Sequence, residues 1–545
     1  MGTSGAISGR LHIMSEPTSI DDLVRRAVAA RPDEAALADA PNRASVDGAD
    51  PVRLTWSQLD ARIDGAAAAL TDLGVGPGVP VGIQLANVVE LPITILACFR
   101  LGAVAVPFPI QHRAHELRHG IETAGFDVFV TTDRPDRPDQ VESATATLRQ
   151  FGPVAMTPPV TAPGPPVESA VVGAETRATI CWTSGTTGTP KGVPRTHGQW
   201  MASSSFQVSE LRIAATDHIL CPFPVVNMAG IGGMLVPWAE AGAFLALHQP
   251  LDLEVFLGQL VSERITYTVV PPAALNMLLG NTELLDSLDL STIRTISSGS
   301  APLDPWMVEG WQERGIEIAN VFGSNEGAAL LSTMAAVPDP TERARYFPIP
   351  DRPGVETRLV DLEHEVTITE AGTVGELRFR GITVFDGYVG SDGAEFDADG
   401  WYRTGDLFEY VADDNPPRLL KFVDRAKDII IRGGMNISAA EIEALVADHP
   451  AIVECAAIGF PHPDLGEKVG VFAVAGPNAD RPSLDELVAH LREHEIASYK
   501  LPERLDYLDA LPRNPVGKVV KPELRQIWRD PATPEHQPTR QESEQ

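Results

Sequence analysis

The stretch ATICWTSGTTGTPKGV, Ala178 to Val193, decides how the rest of the chain is read. Its first five residues are an apolar run of the kind a buried strand uses. Behind them Gly185, Gly188 and Gly192 let the backbone turn tightly, and the hydroxyls of Thr183, Ser184, Thr186, Thr187 and Thr189 can donate to phosphate oxygens. Lys191 adds a positive charge, so the loop reads as a phosphate cradle. It is not the P-loop GxxxxGK[ST], because Pro190 precedes the lysine and Gly192 follows it. On composition alone it is equally a Ser/Thr/Gly surface turn; its place after a strand and its lysine favour the nucleotide reading.

Working outward, LTWSQLDARIDGAAAALTDLGV from Leu54 predicts a capped helix that stops at Gly74, and VPVGIQLAN predicts a buried strand. ELPITILACFRLGAVAVPFP repeats helix, Gly102 and strand. Later strands ITYTVVP, IRTISSG and IEIANVFG alternate with helices PPAALNMLLG and DPWMVEGWQERG. This is the pattern of an α/β fold with doubly wound subdomains, followed by a β-rich subdomain through VETRLVDLEHEVTIT and TVGELRFRGI. The Pro-rich residues 151–168 resist helix and sheet alike and are expected to be a surface linker. A small α+β unit is expected from Asp424. The resulting division is a flexible tail 1–16, a large domain 17–423, a small domain 424–530 and a disordered tail 531–545.

The chain of 545 residues carries a net charge of −31, which argues against a general nucleic-acid or anionic-membrane binder. Four cysteines, Cys98, Cys181, Cys221 and Cys455, form no CxxC pair or zinc-ligand spacing, and a reduced cytoplasmic setting is expected. No secretory leader is read at the start, and the most apolar run, Met228 to Ala239, is too short to span a bilayer. Between 500 and 529, Lys500, Arg504, Arg513, Lys518, Lys521, Arg525 and Arg529 outnumber Glu503, Asp506, Asp509 and Glu523. With Arg425, Lys427 and Arg432 they are expected to form a local basic region for phosphates.

TSGTTGTPKGV followed by Arg195, Thr196 and His197 resembles the signature loop of the adenylate-forming superfamily, which includes acyl-CoA synthetases, peptide-synthetase adenylation domains and firefly luciferase. Further motifs extend the resemblance from about Leu54 to Lys521. NVFGSNEG, Asn320 to Gly327, matches the family's Tyr-Gly-x-Thr-Glu at Phe322, Gly323 and Glu326, with Asn325 in place of Thr. The resemblance implies Phe322 against adenine, Asn325 donating near the α-phosphate, and Glu326 as a Mg²⁺ ligand. Ser300, Ala301 and Pro302 resemble the Gly-Ala-Pro turn beside adenine and acyl group. Asp406 in GWYRTGDL is implied to hold the ribose, although alone it is an ordinary turn or capping residue. Arg425 is implied beside ribose and phosphate, and Lys427 at the hinge of a mobile small domain. Gly433 and Gly434 resemble the loop that opens the CoA tunnel and are equally a hairpin turn, with Glu441 available to steady it. Lys518 in LPRNPVGKVVKPELR matches the lysine that bonds the substrate carboxylate and α-phosphate.

The implied reaction is activation of a carboxylic acid by MgATP to an acyl-adenylate, then transfer to the thiol of CoA, with Lys518, Glu326 and Lys191 as the catalytic set. Val226, Asn227, Met228, Gly230, Ile231 and Gly323 are expected to line the acyl pocket and to suit an uncharged acyl or aryl group; ordinary core packing explains the apolar stripe as well. Asn227 stands where relatives carry an aromatic–His gate. The acid–CoA ligase reading stands beside a carrier-protein-loading enzyme, a weaker luciferase-like oxidation and a non-catalytic ATP-binding regulator. A monomer or homodimer is expected.

Overall fold

The computed structural model describes residues 17–529 except 184–189, 250, 300, 412–417, 427, 433–434, 463–464, 477–478, 495, 497 and 514–517, and omits the side chains of Met435, Asn436 and Arg529. Among the described residues the strands form four sheets. One has eight strands in the order 329–332, 317–323, 295–299, 267–269, 218–221, 244–247, 35–38 and 53–55. Its six inner strands are parallel and only the two edges run antiparallel. A second sheet orders 155–157, 128–131, 80–84, 104–107, 177–182 and 192–196, parallel except for the last pair. Parallel strands must be covered on both faces, and the sequence supplies that cover as helices between them. The helix Glu90–Arg100 is buried along its whole length between such layers.

Arg100 shows what that burial requires. Its guanidinium is completely buried and reaches Asp21 (3.1 Å), Asp60 (2.6 Å) and Asp64 (2.7 Å), tying the first helix, Ile20–Ala30, and the helix Trp56–Asp72 to Glu90–Arg100. The shared carboxylates raise the already high Arg100 pKa despite burial.

The Pro-rich 151–168 segment departs from the expected linker. Ala155–Thr157 adds an edge strand parallel to Val128–Thr131, and further on Gly164 donates its N–H to the Ala61 carbonyl at 2.9 Å. Gly65 and Gly164 meet backbone to backbone, an approach that any Cβ would block, so the segment is packed onto the helix.

The third sheet is antiparallel, with the order 346–348, 419–425, 402–410, 374–381, 355–360 and 367–368. Its strand Leu419–Arg425 runs through the expected boundary at Asp424. The Asp424 carboxylate accepts from Ser438 Oγ (2.9 Å) and the Ala440 N–H (3.1 Å), at the start of the helix Ala439–Ala447. Beyond it the strands 435–437, 430–432, 466–475, 452–462 and 504–507 make the small α+β sheet. Among the described residues no helix is long and apolar enough to cross a membrane.

Arg100→Leu leaves three buried or half-buried carboxylates without their shared cation. The expected cost is about 3–5 kcal/mol, read as a lower urea midpoint for unfolding; an unchanged midpoint would show that the more exposed Arg25, which lies 3.6, 3.4 and 3.8 Å from Asp21, Asp60 and Asp64, suffices alone.

Candidate active site

A cleft of about 3700 Å³ is lined from both the large and the small domain. On one side stand Thr183 and Lys191, at the neck of the hairpin between strands Arg177–Trp182 and Gly192–Thr196. The Thr183 N–H donates to the Lys191 carbonyl (3.1 Å), and the Lys191 N–H donates to Thr183 Oγ1 (3.2 Å). This closes the neck of the loop; Ser184, Gly185, Thr186, Thr187 and Gly188 lie outside the described residues.

Strand Glu317–Gly323 delivers Phe322 and Gly323 to the same cleft. The Phe322 ring is steadied edge-on by Phe408, with centroids 5.2 Å apart. The chain then turns through Ser324–Gly327. Gly327 has φ +94°, and a Cβ there would collide with the Thr383 carbonyl, so the turn requires glycine. This presents Glu326, which is buried yet lines the cleft.

Glu326 has a partner that the motifs did not announce. Tyr388 donates its hydroxyl to Glu326 Oε1 at 2.7 Å, while Lys191 Nζ lies 4.4 Å from the centre of the Tyr388 ring. Burial, then the Glu326 charge, push the Tyr388 hydroxyl well above its usual range, so it remains a donor at neutral pH. One aromatic residue thus orients the carboxylate and lies against the lysine. The only sequence cue was Gly387–Tyr388 inside an otherwise unremarkable VFDGYVG.

Asp406 and Arg425 are cross-strand register partners, and Arg425 Nε lies 3.1 Å from Asp406 Oδ1. Ala301, Pro302 and Lys518 also line the cleft, whereas Ser300, Lys427, Gly433 and Gly434 fall outside the described residues. Both oxygens of Glu441 lie 2.7 Å from Lys500 Nζ. The expected basic region is similarly engaged. Lys521 pairs with Glu443, Arg525 with Asp428, Arg432 with Glu503, Arg504 with Asp506 and Arg513 with Glu454.

Of the expected acyl residues, Val226, Asn227, Met228 and Gly323 line the cleft, joined by Phe206, Phe223 and Ala229. Gly230 and Ile231 do not: Ile231 is fully buried in the core, and Gly230 packs against the Pro224 backbone. Met228–Leu235 is a π-helix, and Asn227 caps it by accepting from the Ala229 N–H (3.0 Å) and the Gly230 N–H (3.3 Å). Asn87 fixes the approach to it. Its amide donates to the Phe223 carbonyl (3.1 Å) and accepts from the Val225 N–H (3.2 Å).

Residues 24–389 match the AMP-binding enzyme family and residues 441–518 its C-terminal domain. The chain belongs to that family. It is an adenylate-forming enzyme of the CoA-ligase branch. Among curated relatives it is 32% identical over 502 residues to an indoleacetate–CoA ligase of Aromatoleum aromaticum, covering 87% of this chain and 93% of that protein. It is 30% identical over 477 residues to a feruloyl-CoA synthase of Amycolatopsis, covering 87% and 93%. Among solved structures, ATP-bound MatB from Rhodopseudomonas palustris superposes with a TM-score of 0.81 at 26% identity, covering 94% of this chain and 99% of that one.

His197, next to the signature, is completely buried, and its Nδ1 accepts the Ile20 N–H at 3.2 Å. Burial lowers its pKa from 6.5 to about 4. The unfolded chain therefore takes up this proton first as pH falls. The stability it confers is intact above pH 6.5 and lost towards pH 4, a contribution of roughly 3 kcal/mol. His197→Asn keeps an acceptor and removes the titration, so the gap between variant and wild-type unfolding free energies should narrow from pH 7 to 4.5; a constant gap would contradict the assignment.

Proposed function

We propose that this ligase activates an uncharged aryl or alkyl carboxylic acid with MgATP and passes the acyl group to CoA. The observation that carries the site assignment is that Lys191, Glu326, Asp406 and Lys518, from four separate motifs, line one cleft. In the first step a carboxylate oxygen of the acid attacks the α-phosphorus, the bond to the bridging oxygen breaks, and pyrophosphate leaves. Two anions must meet, and the Lys518 ammonium beside them offsets the charge that builds at the transition state. Lys191 and the hydroxyls and N–H groups of its loop receive the departing phosphates. Asp406 accepts from the ribose hydroxyls, with Arg425 holding its carboxylate in place.

Magnesium fits the donor chemistry. Among the described residues no cluster of three or more His, Cys, Asp or Glu would hold a metal alone, and Mg²⁺ characteristically takes one or two carboxylates with substrate phosphates and water. Glu326 is that carboxylate: Tyr388 donates to its Oε1 and would hold the carboxylate in place for the ion. The ion supplies charge neutralisation at the phosphoryl oxygens.

In the second step the thiol sulfur attacks the acyl carbon, the acyl–phosphate bond breaks, AMP leaves, and the thiol proton goes to solvent. The small domain turns about Lys427 to withdraw Lys518 and bring Gly434 to the tunnel. Apolar Phe206, Phe223, Val226 and Met228 along the cleft support an uncharged acid, as do relatives named for indoleacetate and ferulate. Four unpaired cysteines, three of them buried, support a reducing cytoplasmic setting.

Acid-dependent pyrophosphate release, with and without CoA, tests the reading on indole-3-acetate, ferulate, salicylate and octanoate. Release with none of them, or thioester formation with none, would count against it. Lys518→Ala should lower adenylation at least a hundredfold while leaving thioester formation from supplied acyl-adenylate within a fewfold of wild type. Gly434→Leu should do the reverse. Equal losses in both half-reactions for either variant would remove its assigned role.

A further inference from the structure

The family's Thr in the Tyr-Gly-x-Thr-Glu motif is Asn325 here, and both the oxygen and the nitrogen of its amide are engaged by protein backbone. Oδ1 accepts the Met228 N–H at 2.7 Å, and Nδ2 donates to the Trp182 carbonyl at 3.0 Å. The partners fix the amide's orientation, since an N–H needs an acceptor and a carbonyl needs a donor. Met228 is the first residue of the π-helix that carries the acyl wall, and Trp182 is the last residue of the strand leading into the phosphate loop. The Asn325 backbone carbonyl meanwhile accepts from Arg195 Nη1 at 3.0 Å.

The first N–H groups of a helix have no partners within it and must find them outside. At this helix two asparagines supply them: Asn325 takes Met228, and Asn227 takes Ala229 and Gly230. Both are positions at which the chain departs from the family pattern, and they serve one turn. A threonine at 325 offers a single oxygen on a shorter side chain and cannot occupy both places that the amide nitrogen and oxygen fill.

We propose that Asn325 is a positioning residue of the acyl pocket, clamping the Met228 turn to the phosphate-loop strand and thereby setting selectivity among acids instead of holding the α-phosphate. This rests on the ligase reading. Its consequence is a split between substrates. Asn325→Thr, which restores the family residue, should raise KM for the best of indole-3-acetate, ferulate, salicylate and octanoate about five- to tenfold, corresponding to one lost hydrogen bond of ordinary strength. It should also change the preference order or ratios among the four. AMP affinity, measured by calorimetry without any acid, should stay within twofold of wild type, as should KM for ATP.

Asn227→Ala supplies the second arm. Because both side chains hold the same turn, the effects of N227A and N325T on acid KM should be less than additive in the double variant. A fall in AMP affinity matching the rise in acid KM would return Asn325 to the phosphate and overturn the proposal, as would unaltered acid KM and selectivity in a folded variant. Strict additivity would refute the shared turn. Wild-type protein that releases pyrophosphate with none of the acids would instead sink the ligase reading, and this proposal with it.

Discussion

A buried guanidinium joins the parts of the site. Arg195 is fully buried in the second strand of the signature hairpin and donates to the Asn325 carbonyl (3.0 Å), the Gln199 carbonyl (3.1 Å) and Ser203 Oγ (3.0 Å). Its plane lies 4.3 Å from the Trp200 ring centre, and Met228 Sδ is 3.9 Å away. The signature hairpin, the Glu326 turn, helix His197–Glu210 and the helix that begins at Met228 therefore share one cation. Burial lowers Arg195 to about 10, which leaves it charged at neutral pH. Burying a charge is costly unless its donors are satisfied; three acceptors at Nη1 and Nη2 plus an aromatic face offset part of that cost, while Nε has no partner among the described residues. Nearby Glu326 and Asp386 favour the charged form through space.

That arrangement explains why the turn after Gly323 tolerates so little variation in shape. Gly327 sits between the Thr383 carbonyl and the Arg195 guanidinium, so a side chain there would collide with backbone on one side and the cation on the other. Holding the Asn325 carbonyl fixes the residue on one side of Glu326, and glycine is required on the other. Tyr388 then fixes the carboxylate itself. Precision at Glu326 comes from three separate stretches of chain, each acting on a different atom.

The alternation of helix and strand was legible because parallel sheets demand covered, apolar strands separated by amphipathic helices, and both signals are local. The large α/β part, the antiparallel subdomain and the small α+β unit follow from them. The signature hairpin, the Asp406 motif and the Lys518 motif stood out in the sequence for a related reason: each packs its polar groups into a few consecutive residues. Tyr388, Asn87 and the role of the Asn325 amide were not, because their partners lie 62, 136 and 97 residues away respectively. The strand at Ala155–Thr157 was hidden by the prolines that flank it, Pro153, Pro158 and Pro159, none of which lies in the strand itself. Gly230 and Ile231 were read as pocket because an apolar stripe does not say which face meets the core.

Charge counting shows the same limit from the other direction. A surplus of basic residues between 500 and 529 suggested a phosphate-receiving surface, yet Lys500, Arg504, Arg513, Lys521 and Arg525 each face a carboxylate, several from outside that stretch. Half-exposed pairs of this kind contribute little stability. Their effect is to cancel the local field around these five cations. On the proposed reading, an acidic protein would hold a triphosphate through placed groups, with Lys191 on its hairpin and Lys518 at the cleft, and not through its bulk charge.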